Sequence, residues 1–167
     1  PARPIIKRYA GRMGETAVSE PITVQILRLK GADDLTLPVR MTEASAGFDL
    51  PAAVTATMSL DPMQIAVVPC GFAMAIPHGY EAQVRPRSGL SSKHGVTVIN
   101  APGTIDSDYR GEIAVPLINL GPQPFVITRG MRIAQMVICP VPAVRFVEVD
   151  ALDETARGAG GFGHTGH

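Results

Sequence analysis

The amino-acid sequence predicts an all-β fold of short strands, arranged as a sandwich or a barrel. β-Branched residues are frequent, since 29 of the 167 residues are Val or Ile, and such residues favour strands. The 17 Gly and 15 Pro residues mark many turns. Almost no stretch of twelve residues avoids both Gly and Pro, which argues against a bundle of long helices.

The composition argues against several classes of protein and indicates the cellular compartment. With 18% charged and 46% hydrophobic residues, the chain lacks the composition of a disordered protein. Fifteen basic residues balance fifteen acidic ones, so a polynucleotide is not the expected partner, because nucleic-acid-binding domains usually carry a basic excess. No apolar run reaches the ~18 residues that cross a bilayer, and residues 1–20 lack a signal peptide's apolar segment. We therefore expect a cytoplasmic protein without membrane association, and free thiols at Cys70 and Cys139 rather than a disulfide.

The chain divides into three parts. Residues 1–20 are polar and aperiodic and carry four basic residues before the first acid, which predicts a flexible basic extension. Residues 21–150 carry the strand patterns. Residues 151–167 hold five Gly in the last ten positions, so this tail cannot bury enough surface to order itself. The tail nevertheless contains an Arg, a Phe, a His and a Thr, which a plain linker would not need.

Strand patterns recur along residues 21–150, with turn residues between them. The clearest covers Tyr80 to Arg87, where apolar and polar side chains alternate strictly, as in a half-buried strand. Apolar runs at 65–68 and 71–76 flank a predicted turn at Pro69-Cys70-Gly71. Further strands are predicted at 22–29, 96–99, 112–118, 124–128, 133–138 and 144–149.

The segment PRSGLSSKHG, residues 86–95, predicts an anion site where a strand runs into a helix. Ser88 to His94 is the best helix candidate, with Ser88 as its N-cap and Gly95 ending it. N–H groups at a helix start lack partners within the helix and attract anions, phosphate above all, and Arg87 adds a forked cation. An ordinary capped turn is the alternative.

The segment NAPGTIDSDYRGEI, residues 100–113, indicates a wide hairpin between two strands. Asp106 in a pocket could hold and deprotonate a water molecule. Tyr109 offers a flat face on which a sugar or a base can pack. A solvated turn rich in Asp and Ser is the alternative.

Three weaker segments complete the set. AGFDL, residues 46–50, places Asp49 beside a strand start, where it could face a hard cation or be an ordinary turn acid. In RIAQM, residues 132–136, strand alternation puts Arg132 and Gln135 on opposite faces, so the two should not share a pocket, and Gln135 needs polar partners. RGAGGFG, residues 157–163, could fold over a ligand with Phe162 stacked on a base, or could be a disordered end.

These five segments occur in one order, and together they are far more specific than any one alone. The sequence resembles the trimeric deoxyuridine triphosphatases over residues 22–166, most sharply in IDSDYRG and RGAGGFG. The resemblance implies a jelly-roll-type β-barrel over residues 21–150, a closing tail over residues 151–167, and a homotrimer with active sites at the subunit interfaces. It implies hydrolysis of dUTP to dUMP and pyrophosphate with Mg²⁺, which limits uracil in DNA and supplies dUMP for thymidylate synthesis.

The resemblance also implies a role for each matching residue. Asp106 matches the acid that orients the attacking water and contacts the deoxyribose 3′-hydroxyl, and Gln135 matches the amide near that water and the phosphates. Tyr109 matches the aromatic residue that packs under the deoxyribose and excludes a 2′-hydroxyl, and Asp49 the acid that reaches Mg²⁺ through water. The phosphate-binding turn corresponds to Arg87, Ser88 and Gly89, the uracil pocket to Asn100, Thr104, Ile105 and Ala114, and the closing tail to Arg157, Phe162, Gly163, His164 and Thr165.

Two positions depart from the common pattern of that family. His164 stands where Ser is common, which leaves its contribution to the γ-phosphate contact open, and Phe48 stands where Tyr is frequent. Two rival functions use the same scaffold. A dCTP deaminase shares the barrel but is not expected to carry the RGAGGFG tail, and a non-catalytic nucleotide-binding module would require a broken site.

Overall fold

The computed structural model describes residues 21–161, which form short strands in antiparallel pairs and one short helix. The all-β prediction is therefore confirmed. In chain order the elements are β1 (Gln25–Arg28), β2 (Phe48–Pro51), β3 (Met58–Leu60), β4 (Ile65–Ala75), β5 (Tyr80–Pro86), α1 (Ser88–His94), β6 (Val96–Val98), β7 (Gly103–Ile105), β8 (Glu112–Asn119), β9 (Phe125–Ile127) and β10 (Arg132–Pro140).

Two four-stranded sheets enclose one hydrophobic core. The first sheet has the strand order β1-β4-β8-β6 and the second β2-β10-β5-β7, while β3 pairs with β9. Phe72, Ile113 and Leu117 from the first sheet meet Leu50 and Ile133 from the second, and all five are buried. Two antiparallel sheets around one core are consistent with a jelly roll.

Side-chain alternation explains why these segments form strands. In β5, Ala82 and Val84 are buried while Arg85 is exposed, which confirms the period of two that the sequence shows. In β8, Ile113 and Val115 point into the core and their neighbours are half-buried or exposed. One face of each strand therefore contributes to the core and the other remains available for surface contacts.

The turn expected at Pro69-Cys70-Gly71 is wrong, because β4 runs without interruption through these residues. A register shift against β8 between Pro69 and Ala73 replaces the turn. Gly71 has a φ of +76°, a left-handed conformation that glycine adopts without strain, and its N–H donates to Oε1 of Glu112 at 3.0 Å. A β-bulge thus accommodates the sequence that resembled a turn.

The strand expected at residues 144–149 is also wrong. Within residues 21–161 no strand pairs with this segment, and its apolar side chains lie at the surface, with Phe146 95% exposed. Alternation alone does not make a strand, because the backbone groups need a hydrogen-bonded neighbour. Residues 141–152, which we call the apolar arm, also expose Val144, Val147 and Leu152.

Helix α1 covers the expected residues, but its N-cap is Arg87 rather than Ser88. Arg87 is extended, with φ −89° and ψ 126°, and no side chain caps the helix start. Gly95 ends the helix as expected, with a φ of +71° and an N–H that bonds to the carbonyls of Leu90 and Ser91. Among the described residues, no helix has the length and apolar character needed to span a membrane.

Both cysteines are free thiols, as expected. Cys70 is buried in the core and Cys139 is half-buried. Burial raises the pKa of the Cys70 thiol to about 12, with a smaller contribution from the nearby Glu112 carboxylate. Cys70 is therefore a core residue and not a reactive thiol.

Candidate functional site

The turn between β5 and α1 is held by two arginines that share one carboxylate. Nε of Arg87 lies 3.3 Å from Oδ1 of Asp49, and Nη1 of Arg132 donates to Oδ2 of Asp49 at 2.9 Å. Nη1 of Arg87 also donates to the carbonyl of Arg132 at 2.9 Å. The Asp49 side chain is only 13% exposed, so these contacts tie β2, β10 and the turn together with little competition from water.

Gln135 in β10 lies beside this turn. Its Nε2 donates to the carbonyl of Pro86 at 2.9 Å, which supplies the polar partner that the sequence required of an amide in an apolar strand. Gln135 stands opposite Asp49 in β2 and opposite Arg85 in β5. A hollow of about 210 Å³, which we call the arginine hollow, is lined by Met41, Asp49, Arg87, Ser88, Gly89 and Gln135.

The expectation that Arg132 and Gln135 face opposite ways is wrong. The register of β10 against β2 shifts between Arg132 and Ala134, so Ile133 and Ala134 are both buried in succession. A bulge of this kind resets the alternation by one residue. Arg132 consequently lies on the same face as Gln135, and its guanidinium reaches Asp49, the residue opposite Gln135.

A second hollow of about 210 Å³ lies at the hairpin formed by β7 and β8. We call it the tyrosine hollow, and it is lined by Thr104, Ile105, Asp106, Tyr109, Glu112, Ile113 and Ala114. The hydroxyl of Tyr109 donates to the carbonyl of Glu112 at 3.0 Å, and its N–H bonds to the carbonyl of Asp106 at 3.2 Å. The carboxylate and the aromatic ring that the sequence singled out therefore share one concave surface.

Asn100 lies next to the tyrosine hollow without lining it. A Cβ built at Gly103, the first residue of β7, would stand 3.2 Å from the Asn100 side-chain nitrogen. The glycine lets the Asn100 amide approach the β7 backbone closely. The structure thus brings Asn100, Thr104, Ile105, Asp106, Tyr109 and Ala114 into one region of the surface.

The two hollows have no lining residue in common, and the strand register separates them. Ile105 stands opposite Ala82 in β5, and Arg87 follows Ala82 by five residues. At ~3.3 Å per residue along a strand, Arg87 therefore lies about 16 Å along β5 from the level of Ile105. Asp106 is the next residue beyond Ile105, on the side away from Arg87. Within one chain, Asp106 therefore lies far along the sheet from the turn at Arg87.

A third hollow, larger than these two, contains none of the predicted site residues. Its volume is about 610 Å³, and its lining is mostly apolar, with Ile22, Ile26, Phe48 and Met136 among the residues present. Within residues 21–161, Arg40 is the one charged residue of this lining, and its guanidinium lies 4.8 Å from the centre of the Phe48 ring. An apolar groove of this kind lacks the donors that a polyanion requires, so the smaller hollows are the candidate site.

The predicted tail residues are only partly described. Nε of Arg157 donates to the carbonyl of Gly160 at 2.8 Å, a bond within the tail itself. Phe162, Gly163, His164 and Thr165 lie outside the described residues. The structure therefore does not bring Arg157 to either hollow.

A sequence model of the dUTPase family matches residues 33–166, a span that contains both hollows and all five segments. The chain belongs to the dUTPase family. Two curated relatives share the description deoxyuridine 5′-triphosphate nucleotidohydrolase. The protein of Rhizobium etli (strain CIAT 652) is 57% identical over 146 residues, covering 86% of this chain and 94% of the relative. That of Desulfotalea psychrophila is 56% identical over 145 residues, covering 86% and 97%.

Solved structures of dUTPases share the fold. The Staphylococcus bacteriophage 80alpha dUTPase with bound dUPNHPP is 27% identical, with a TM-score of 0.77 over 87% of this chain and 99% of that one. A mutant dUTPase from phage phi11 of S. aureus is 25% identical, with a TM-score of 0.68 over 77% and 97%. That structure describes the coordination of a structural Mg(II) ion.

Sequence reasoning missed three residues that line the two hollows: Met41, Glu112 and Ile113. Glu112 and Ile113 directly follow the segment IDSDYRG, so their position in β8 could have indicated them. Met41 lies in an irregular loop with no pattern of its own. Only the folding of that loop onto Asp49 and Gln135 brings Met41 to the arginine hollow.

Proposed function

We propose that this chain hydrolyses dUTP to dUMP and pyrophosphate, and so limits uracil in DNA and supplies dUMP for thymidylate synthesis. One observation carries the proposal: a chain of the dUTPase family places Asp106 and Tyr109 in one hollow, and Arg87, Ser88 and Gln135 in another. The first pair suits a nucleoside and the second group suits a triphosphate.

The tyrosine hollow would bind the nucleoside and prepare the water. Its polar and apolar lining, including Thr104, Ile105 and Ala114, suits a pocket that reads uracil through its polar edge, with Asn100 beside it. Tyr109 would lie against the deoxyribose and leave no room for a 2′-hydroxyl. The ionised carboxylate of Asp106 would orient a water molecule and take its proton as the oxygen attacks the α-phosphorus.

The arginine hollow would bind the triphosphate. Arg87 and the N–H groups of Ser88 and Gly89 would stabilise the negative charge that grows on pyrophosphate as it leaves. Gln135 would hold the water and the phosphates in line through its amide. The bond broken joins the α-phosphorus to the bridging oxygen, and the electron pair departs with pyrophosphate.

The donor set fits a magnesium ion that arrives with the substrate. Each oxygen of Asp49 meets one arginine, which leaves lone pairs that can accept a bond from a metal-bound water. Among residues 21–161, no three His, Cys, Asp or Glu residues cluster as a metal site. Mg²⁺ keeps several waters and often binds one or two carboxylates plus phosphate oxygens, so Asp49 would hold it through water. When bound, the ion spreads the charge of the leaving group and orients the triphosphate.

We infer that the active enzyme is a homotrimer with active sites at the subunit interfaces. The register that puts Arg87 about 16 Å along β5 from the level of Ile105 supports this, because Asp106 of one subunit would then face the arginine hollow of a neighbour. The apolar arm supports it as well, since Phe146, Val147 and Leu152 are more than half exposed in a single chain. Contiguous exposed apolar side chains mark protein–protein contacts.

The tail and the location of the protein complete the proposal. Arg157, Phe162, Gly163, His164 and Thr165 would close over the nucleotide as a lid at the end of a β domain that spans residues 21–150. The flexible basic extension predicted for residues 1–20 lies outside the described residues. The free thiols Cys70 and Cys139 support a reducing compartment, the cytoplasm.

Pyrophosphate release assayed against dUTP, dTTP, dCTP and UTP tests this function. We expect release from dUTP alone at low enzyme concentration, because a hydrogen-bonding pocket rejects mismatched bases strongly. Ammonia released from dCTP would instead identify a deaminase. Nucleotide binding without turnover of any of the four would identify a non-catalytic module.

A further inference from the structure

Gly47, two residues before Asp49, lies directly against the side chain of Gln135. A Cβ built at Gly47 would overlap Oε1 of Gln135 and would lie 3.3 Å from Cδ and 3.4 Å from Cβ of the same side chain. Gly47 is not among the described glycines with positive φ, so its backbone conformation is open to other residues. The neighbouring amide, and not the backbone, requires a glycine here.

The orientation of that amide follows from its partner. The carbonyl of Pro86 can only accept a hydrogen bond, so the nitrogen of the Gln135 amide must face it, at 2.9 Å. The amide oxygen then lies on the Gly47 side. Gln135 is thus held between Pro86 and Gly47, and any side chain at position 47 would push the amide away.

We propose that Gly47 is a positioning residue of the active site, whose missing side chain leaves room for Gln135 to hold its amide on Pro86. The inference rests on the proposed function, because it concerns how Gln135 meets the water and the α-phosphate. Pro86 directly precedes Arg87 and Ser88, so an amide that leaves Pro86 also shifts relative to the phosphate-binding turn.

Gly47→Ala tests the proposal, because the fold should tolerate it. The overlapping atom is the end of a flexible side chain, which can retreat by about 1 Å to an ordinary contact distance. A displacement of that size at a reacting site lowers rates by up to ~10²-fold. We therefore expect kcat for dUTP to fall about 10- to 100-fold with KM nearly unchanged, while the melting temperature and the oligomer mass stay close to wild type.

A double-mutant cycle with Gln135→Ala separates positioning from a general loss of structure. If Gly47 acts through the Gln135 amide, Gly47→Ala should change kcat little in the Gln135→Ala background, since the group it displaces is already absent. Equal effects of Gly47→Ala in both backgrounds would overturn the proposal. Ala44→Ser, in the same loop and exposed, is the matched control and should keep wild-type kcat.

The side-chain amide signals of Gln135 provide a readout that does not depend on turnover. These NMR resonances, assigned by their loss in Gln135→Ala, should shift in Gly47→Ala and stay in place in Ala44→Ser. Unshifted resonances in Gly47→Ala would contradict the positioning role whatever the activity. A wild-type protein that binds dUTP without hydrolysing it would contradict the proposed function instead.

Discussion

Two contacts hold the Tyr109 side chain against the backbone of its own hairpin. Its ring lies over Gly111, where an added Cβ would overlap the hydroxyl and stand 2.6 Å from Cζ. The hydroxyl donates to the carbonyl of Glu112 at 3.0 Å, yet the residue is 46% exposed. A ring held on one side and open on the other presents a rigid face to a ligand, which lowers the entropic cost of binding.

Replacing this ring should alter the choice of sugar. Tyr109→Ala removes the surface that would exclude a 2′-hydroxyl, so we expect weaker dUTP binding and a smaller ratio of kcat/KM for dUTP over UTP. Tyr109→Phe is the matched control, because it keeps the ring on Gly111 and loses only the bond to Glu112. A dUTP/UTP ratio unchanged in Tyr109→Ala would assign the sugar preference to another residue.

Replacing the carboxylate of Asp106 should stop the chemistry and spare binding. Asp106→Asn keeps the shape of the side chain but cannot take a proton from water, so turnover should fall ~10²- to 10⁴-fold, the usual contribution of a positioned base. Titration with dUTP should show affinity near wild type. Near-normal turnover of the variant would exclude Asp106 as the residue that activates the water.

At the scale of elements, the end of α1 depends on a glycine for two separate reasons. Gly95 has a φ of +71°, and an added Cβ would stand 2.5 Å from the backbone nitrogen of Gly121. Gly95→Ala should therefore lower the free energy of unfolding by about 1–2 kcal/mol, because alanine is strained in the left-handed conformation. Crowding against Gly121 should lower it by a further ~1–3 kcal/mol. Unfolding in denaturant measures the combined loss.

Gly79→Ala separates those two contributions. Gly79 has a φ of +85°, but an added Cβ would meet no atom within 4 Å. This variant should show only the loss that comes from the left-handed conformation. Its free energy of unfolding should therefore lie between those of wild type and Gly95→Ala. Equal losses in the two variants would show that the contact with Gly121 does not contribute.

The C-terminal tail should contribute to turnover and not to stability. Its described residues are almost all exposed, and their hydrogen bonds, such as Gly158 N–H to the Thr155 carbonyl at 3.0 Å, stay within the tail. Deleting residues 153–167 should leave the melting temperature nearly unchanged and lower turnover by ~10²-fold or more, because closure positions the triphosphate. Steady-state kinetics and thermal melts on the truncated chain would refute the lid role if turnover survives or the oligomer dissociates.

At the scale of the whole molecule, the separation of the two hollows predicts that neighbouring chains complete each other. Light scattering should give a particle mass of three times the 17.6 kDa of one chain. Arg87→Ala and Asp106→Asn should each be inactive alone, yet trimers assembled from an equal mixture should regain about a quarter of the wild-type sites. Each restored site would take Arg87 from one subunit and Asp106 from another.

The matched control mixes Arg87→Ala with the double variant Arg87→Ala/Asp106→Asn. No subunit of that mixture carries Arg87, so no activity should return whatever the arrangement of the sites. Failure of the first mixture to recover activity, with mixed trimers shown by mass spectrometry, would place both hollows of one site within a single chain.

Local sequence determined the elements whose environment is set by near neighbours. The alternation in β5, the helix from Ser88 to His94 and its end at Gly95 could all be predicted, because burial period and glycine conformation are local properties. The segments that form the two hollows could also be identified, since each carries its own polar residues close together in sequence.

Only the tertiary structure decided the features that depend on a partner far away in the chain. The bulge at Gly71 replaced a turn because β8 lies beside β4, and the bulge after Arg132 brought that residue to Asp49. Residues 144–149 have the pattern of a strand but no strand to pair with among residues 21–161. Strand register also decides the pairing of Asp49 with two arginines, the contact of Gly47 with Gln135 and the placement of the two hollows. Long-range packing sets this register, and the local periodicity of the sequence does not determine it.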